Sequence, residues 1–327
     1  MFQPKAKILA HSRSALTGKE IVTFEVEFWR GILAEFNTHN ALSKNTSSSR
    51  AIPVPTMLNQ VRTETGGPAR FGAANTGMQD SGVHTADIVF NTDDEYGDQL
   101  VLPPVQAWLH CARASADLAQ AFHDAGYAKQ ICNRLIEPFQ TVKMVVTATD
   151  LANFFWLRDH YMADPSIDAL AKVMKTAYKE SESVELMPGD WHVPYFGAGY
   201  WLSGCGVPLE DALAISASCC AQASYRKLDD TIEKAKGVVS RLNLGVDLEE
   251  PCHASPTEHQ ATPIAATVAW DSDEPWRNAV NEQMSSDTWQ DGITHVTRGG
   301  EFCSGNLKGF IQHRQLIPGN TYTGEIK

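Results

Sequence analysis

No run in this chain of 327 residues approaches the roughly 18–20 unbroken apolar residues that cross a bilayer. Its start, "MFQPKAKILAHSRS", lacks the long apolar core of a signal peptide, so a cytosolic protein is expected. Cysteine is sparse: seven residues, an odd number, with no CxxC…CxxC frame and with Cys219 and Cys220 as sequence neighbours that make poor disulfide partners. Reduced thiols are expected. Cys252, His253 and His259 match no closed Cys/His set, which argues against zinc. Basic charge is also short, with 27 Lys and Arg against 39 Asp and Glu and a formal charge of −12. That balance argues against broad adhesion to nucleic-acid polymers or an anionic membrane face, so any anion site must be local.

Apolar residues make up 43% of the chain, with no strong break in composition. One large core or two intimately packed halves follow, and a single domain over residues 1–327 is expected. "KEIVTFEVEF" alternates as a half-buried strand does, and "RGILAEFNTHNAL" takes up helical spacing. Residues from about 63 to 98 are rich in Gly, Asn, Thr and Asp and predict an ordered but irregular excursion. Helices are predicted over "PPVQAWLHCARASADLAQAFHDAG" and "AKQICNRLI", and a strand over "FQTVKMVVTAT". "TDLANFFWLRDHYM" and "SIDALAKVMKTAY" read as helices divided near Pro165, each opened by a capping Thr or Ser. Further helices are expected over "LEDALAISASCCAQAS" and "DDTIEKAKGVVSRL", then a strand over "IAATVAW". "FNTHNAL" and "FIQHRQL" share F-x-x-H-x-x-L, which leaves open a degenerate repeat within 209–327.

The stretch "THNALSKNTSSSR", Thr38 to Arg50, stacks hydrogen-bonding side chains around one histidine and ends on an arginine. It resembles the signature R-H-R-x-x-S-x-N-E-x-S-x-R of the flavin-dependent thymidylate synthases. His39, Ser43, Asn45, Ser48 and Arg50 are kept, whereas Thr38, Asn40 and Thr46 depart from it. "NFFWLRDHYMADPSI" is similar to the family's N-F-x-x-L-R helix, "NRLIEP" to the arginine stretch before it, and "CAQASY" and "HASPTEH" to its A-R-x-S and H-x-S-P-x-E-H elements. Because the last two follow the signature here, the order resembles the longer version found in bacteriophages.

That resemblance implies an α/β (α+β) fold, a twisted, mainly antiparallel sheet wrapped by long helices. It implies transfer of a one-carbon unit from methylenetetrahydrofolate to carbon 5 of a pyrimidine deoxynucleotide, with FAD as cofactor, NADPH as reductant and no cysteine nucleophile. Substrate contacts would come from Glu35, Ser48, Ser49, Arg50, Arg134 and Arg158, with Arg158 at the pyrimidine edge as the catalytic residue. A hydroxyl cluster and a guanidinium fork suit phosphate oxygens, and a fixed cation favours negative charge on the ring. Thr38, His39, Asn40, Asn45, Thr46, Asn153 and His259 would serve the flavin. Asn153 and Arg158, about 140° apart on a helix, would flank a groove. The family places its sites between subunits, which implies a homo-oligomer, a dimer or tetramer.

The departures weigh on function. Asn40 replaces an arginine, Thr46 a glutamate and Asp164 a glutamine, and Cys219 and Gln222 stand where phage-type sequences tend to carry arginines. Three readings follow: conversion of dUMP to dTMP; a related hydroxymethylase or methylase of dUMP or dCMP that feeds modified-base DNA; or a non-catalytic nucleotide-binding or assembly protein.

Overall fold

The computed structural model describes residues 1–77, 79–91, 99–222, 229–245, 247–265, 289–322 and 324. The alternating segment predicted near the start forms strand β2 (Glu20–Trp29), paired antiparallel with β1 (Lys5–Ser14). A 3-10 turn at Arg30–Ile32 leads to a short helix, α1 (Leu33–Asn37), and the chain turns through residues 38–42 into strand β3 (Ser43–Thr46). The helix is shorter than its spacing predicts, because Thr38 Oγ1 and the Thr38 amide both bond back to the Glu35 carbonyl and close it.

Helix α2 (Val54–Thr63) opens the irregular excursion. Residues 64–77 and 79–87 hold no helix or strand beyond a bridge between Gly72 and Val83; a hairpin follows, β4 (Ile88–Asn91) on β5 (Gln99–Leu102). Part of the excursion, Met78 and residues 92–98, lies outside the described residues. Next come α3 (Pro104–Asp124), α4 (Lys129–Arg134), β6 (Thr141–Ala148), α5 (Ala152–Arg158), α6 (Pro165–Glu180) and β7 (Val184–Leu186). The capping expected of Thr or Ser is corrected here. Asp164 caps α6, its Oδ1 accepting from the Ser166 amide at 2.8 Å, and α5 has no side-chain cap. Pro165, fitted to the first helical turn, moves the helix start ahead of Ser166.

The last third contributes β8 (Trp191–His192), β9 (Tyr200–Trp201), α7 (Leu209–Ala221), α8 (Ile232–Leu242), β10 (Ala261–Pro263), β11 (His295–Val296), β12 (Phe302–Ser304), β13 (Leu307–Lys308) and β14 (Phe310–Gln312). Thr231 caps α8. The strand expected over "IAATVAW" is found just before it, at β10; residues 266–270 lie outside the described residues. The two F-x-x-H-x-x-L stretches differ in form. Phe36–Leu42 is a helix end and a turn, whereas Phe310–Leu316 is a strand and a 3-10 turn.

The architecture is mixed α+β. The main sheet has the order β3-β6-β2-β1-β7, antiparallel except where β7 joins β1, and a four-stranded sheet has the order β14-β10-β8-β9. One face of the main sheet is apolar: Val22, Phe24, Val26 and Phe28 of β2 and Val142, Met144 and Val146 of β6 pack on Ile167, Leu170 and Met174 of α6. Burying each large side chain stabilises by about 1.5–3 kcal/mol, so this layer fixes the register of β2 against β6. Among the described residues the longest helix, α3, does not wrap this sheet; it packs with α2 and α4 around Leu58, Ala116 and Ile136.

The opposite face of the main sheet is polar yet sealed. Thr23, Thr147, Ser12, His192 and His259 are all buried, and the last third of the chain covers them. His192 bonds Ser12 Oγ at 2.9 Å and Thr23 Oγ1 at 2.7 Å; Thr23 meets Thr147 at 2.7 Å; Thr147 meets His259 Nδ1 at 2.8 Å. Hydroxyls can donate and accept at once, so five buried polar side chains join in one row, which leaves only His259 Nε2 without a partner among them.

Candidate functional site

The turn between α1 and β3 and the outer side of α5 enclose a groove of about 350 Å³. Thr38, His39, Asn40, Ala41 and Leu42 form one wall, and Asp150, Asn153, Phe154, Leu157 and Arg158 form the other. Two separate stretches singled out in the sequence thus meet in space. Asn153 and Arg158 both line the groove, as their spacing on a helix predicts.

His39 is fixed on three sides. Its ring packs edge-on against Phe154, with centroids 5.0 Å apart, and lies 6.5 Å from Phe36. Arg158 Nε donates to His39 Nε2 at 2.9 Å. A guanidinium only donates, so Nε2 must be the bare nitrogen and the proton sits on Nδ1. Burial, then the Arg158 and Lys44 charges, lower the His39 pKa to about 4, and the imidazole is neutral at physiological pH.

The groove offers mainly donors. Among the described residues, the Arg158 Nη groups and the side-chain amides of Asn40 and Asn153 have no protein partner. Asp150, the one carboxylate in the lining, accepts from Lys308 Nζ at 2.6 Å, and that bond leads the causes that hold its pKa below the usual range. Donors in a local cationic setting suit a flat ring with acceptor atoms along its edge. Asp150 and Lys44 were not singled out from sequence, although Lys44 lies inside the signature stretch and Asp150 directly precedes the N-F-x-x-L-R helix.

The remaining predicted residues lie elsewhere. Ser48, Ser49 and Arg50 follow β3 at its far end. That loop is docked on α4: Asn133 Nδ2 donates to the Ser49 carbonyl at 2.7 Å, and Ser49 Oγ donates to Glu137 Oε1 at 3.2 Å. Ser48 Oγ accepts from the Arg50 amide at 3.2 Å. Arg50 and Arg134, on either side of this contact, are exposed. Strand β6 runs from this loop to the groove, since Met144 pairs with Thr46 and Thr147 with Ser43. With Ser47 on Lys143 and Ser43 on Thr147, about five strand steps, roughly 15 Å, separate the two places along β6. Glu35 is exposed on α1 and does not line the groove.

Asn45 and Thr46 stay in β3. Asn45 Nδ2 donates to the Cys220 carbonyl at 3.2 Å, on the sheet face away from Lys44 and the groove. His259 is fully buried behind β6, its pKa lowered to about 3 by burial. Among the described residues no group of three or more His, Cys, Asp or Glu is placed to hold a metal ion, and no helix is long and apolar enough to cross a membrane. All seven cysteines are free; burial raises the Cys219 pKa to about 12 and pushes that of Cys220 well up.

No protein-family model matches the chain, and no curated protein matches it. Solved structures that resemble it include a UMP/dUMP methylase, PolB, from Streptomyces cacaoi. Its form bound with 5-bromo-UMP shares 17% identity at a TM-score of 0.39, over 55% of this chain and 90% of that one. The form bound with 5-bromo-dUMP shares 15% identity at a TM-score of 0.37, over 55% and 91%.

Proposed function

We propose that the groove between His39 and Arg158 binds the ring of a pyrimidine deoxynucleotide, and that the protein transfers a one-carbon unit to carbon 5 of that ring, converting dUMP to dTMP. The observation that carries this reading is the 2.9 Å bond from Arg158 to His39, which joins two distant stretches that each resemble the flavin-dependent thymidylate synthases. Arg158 would hold the ring edge through its Nη groups. A fixed guanidinium lowers the cost of negative charge as the ring is activated, and His39, neutral, would hold that guanidinium in place without competing with it for charge.

A phosphate on the same nucleotide would need cations besides Arg158, which the ring edge would take. Arg50 and Arg134, with the Ser48–Ser49 hydroxyls beside them, supply them beyond the opposite end of β3. In a homo-oligomer, a second copy would bring its phosphate loop to the groove. Trp156 and Tyr161, 80% and 79% exposed on α5 and just beyond it, offer that copy an apolar surface.

For FAD, the fit is partial. The amides of Asn40 and Asn153 and the Nδ1 proton of His39 suit the edge of an isoalloxazine ring. The groove, at about 350 Å³, is at the small end for ligand sites and cannot hold a nucleotide and a dinucleotide together. Asn45 and His259 stand outside it. When bound, a reduced flavin would supply the hydride, and methylenetetrahydrofolate the carbon; this chain's residues would bind, orient and polarise the pyrimidine.

The test is to titrate the purified protein with FAD and then with dUMP or dCMP while recording the visible spectrum, and to identify products with methylenetetrahydrofolate and NADPH present. Flavin bands perturbed by dUMP, with dTMP formed, are expected. A hydroxymethylated product or a preference for dCMP would instead support the modified-base alternative. Absence of bound flavin and of nucleotide binding in a folded protein would leave a non-catalytic role.

A further inference from the structure

Nothing in the main-chain pairing of β3 holds the groove wall that precedes it. Pairing with β6 begins at Ser43, so residues 38–42 form a turn beyond the end of the sheet. Within that turn the backbone contacts are local, from Thr38 to Glu35, His39 to Phe36 and Leu42 to His39. The neighbouring β3 side chains point elsewhere, Ser43 to Asn306 and Asn45 to Cys220. Lys44 alone reaches back among the β3 side chains described. Its Nζ donates to the His39 carbonyl at 2.8 Å and to the Asn37 carbonyl at 3.1 Å.

We propose that Lys44 is a positioning residue for the groove: by binding the carbonyls of Asn37 and His39 it fastens the 38–42 wall to β3 and keeps His39 Nε2 on Arg158. Two physical effects run together. The ammonium satisfies carbonyls left free at the C-terminal end of α1, where a cation is favoured. Its positive charge, held on the His39 carbonyl, also disfavours an imidazolium. The other charged groups nearby are Asp150 and Lys308, which pair with each other, and Glu258, whose charge acts on Lys44 and which pairs with Arg314. A half-buried lysine spent on two main-chain carbonyls beside a ligand-sized cleft is an anchor and not a ligand group.

The inference rests on the proposed reading for its ligand, though its first readout does not. In full-length protein, the His39 ring is titrated by NMR, assigned with His39→Gln, in the wild type and in Lys44→Met and Lys44→Arg. Lys44→Met is expected to move the His39 midpoint up toward the ordinary value and to weaken dUMP binding about tenfold, while the thermal midpoint stays near the wild type. Lys44→Arg, which keeps the charge and the donors, should restore both. An unchanged His39 titration in Lys44→Met overturns the proposal. So does a lowered thermal midpoint that Lys44→Arg rescues without any shift at His39, because that result describes a helix cap alone. If the wild type binds no dUMP, the nucleotide reading falls and the His39 titration still decides the role of Lys44.

Discussion

Arg158 donates its Nε proton to His39 Nε2, and so a residue at the end of one helix dictates the tautomer of a histidine 119 positions earlier. The bond also carries a cost if broken, since it leaves both groups half-buried beside the groove. Arg158→Gln should therefore act in two ways. The His39 midpoint, held at about 4 first by burial and then by Arg158, should rise toward 6.5. Turnover on dUMP should fall about 100- to 1000-fold in kcat/KM, the scale of losing a main electrostatic contact to a reacting group. NMR titration and steady-state kinetics check the two effects separately.

The same pair sets an acid limit on binding. As pH falls through about 4, His39 gains a proton on Nε2, and the imidazolium faces a guanidinium instead of accepting from it. Affinity for dUMP, measured by calorimetry, should stay level between pH 8 and pH 6 and decline toward pH 4. His39→Gln should remove that decline, as an amide cannot titrate there.

Stability should be more acid-sensitive than binding. His192 and His259 are fully buried, and burial lowers both to about 3. Their folded pKa values lie below the unfolded 6.5, so the unfolded chain takes up more protons as pH drops. The stabilising contribution is complete above pH 6.5 and is lost progressively from there down to about 3. At pH 5 each costs about 2 kcal/mol relative to pH 7, a sizeable share of the few to fifteen kcal/mol typical of a domain. Urea unfolding at pH 7 and pH 5 should show this slope.

Thr147 is the hinge of that buried row. Thr147→Val keeps the volume but leaves His259 Nδ1 and the Thr23 hydroxyl each short of a bond, at a cost of about 1–3 kcal/mol. Thr147→Ser should cost much less, because the hydroxyl survives. The row lies on the sheet face away from the groove, so dUMP affinity should be unchanged in Thr147→Ser.

The sequence was most legible where periodicity or punctuation is strong. β2 and β6 follow from alternation, and α3 from Pro104 at its start and Gly126, with φ of 84°, past its end. That Asn153 and Arg158 both face one groove was also reachable, because helix geometry fixes what five residues of spacing can face, whereas only the resemblance of its stretch linked His39 to them. Long-range placement was not. Nothing local in "HASPTEHQ" says that His259 is sealed behind β6, since that depends on which strand the last third covers. The separation of Arg50 from His39, which one linear motif lists together, is likewise a property of the β3–β6 ladder between them.

That separation gives the most decisive test of the proposed site. If the nucleotide phosphate is held by Arg50 and Arg134 of one copy and the ring by Arg158 of another, then Arg50→Ala and Arg158→Ala should each abolish turnover on dUMP. Mixing the two variants, with subunits allowed to exchange, should restore part of the activity, because some mixed sites pair an intact phosphate loop with an intact groove. Complementation of this kind cannot arise if one chain supplies the whole site, as every site would then carry one defect. Titrating the ratio of the two variants should give a maximum near equal amounts. Activity that never exceeds that of either variant alone would place both residues in one copy's site or remove Arg50 from the chemistry.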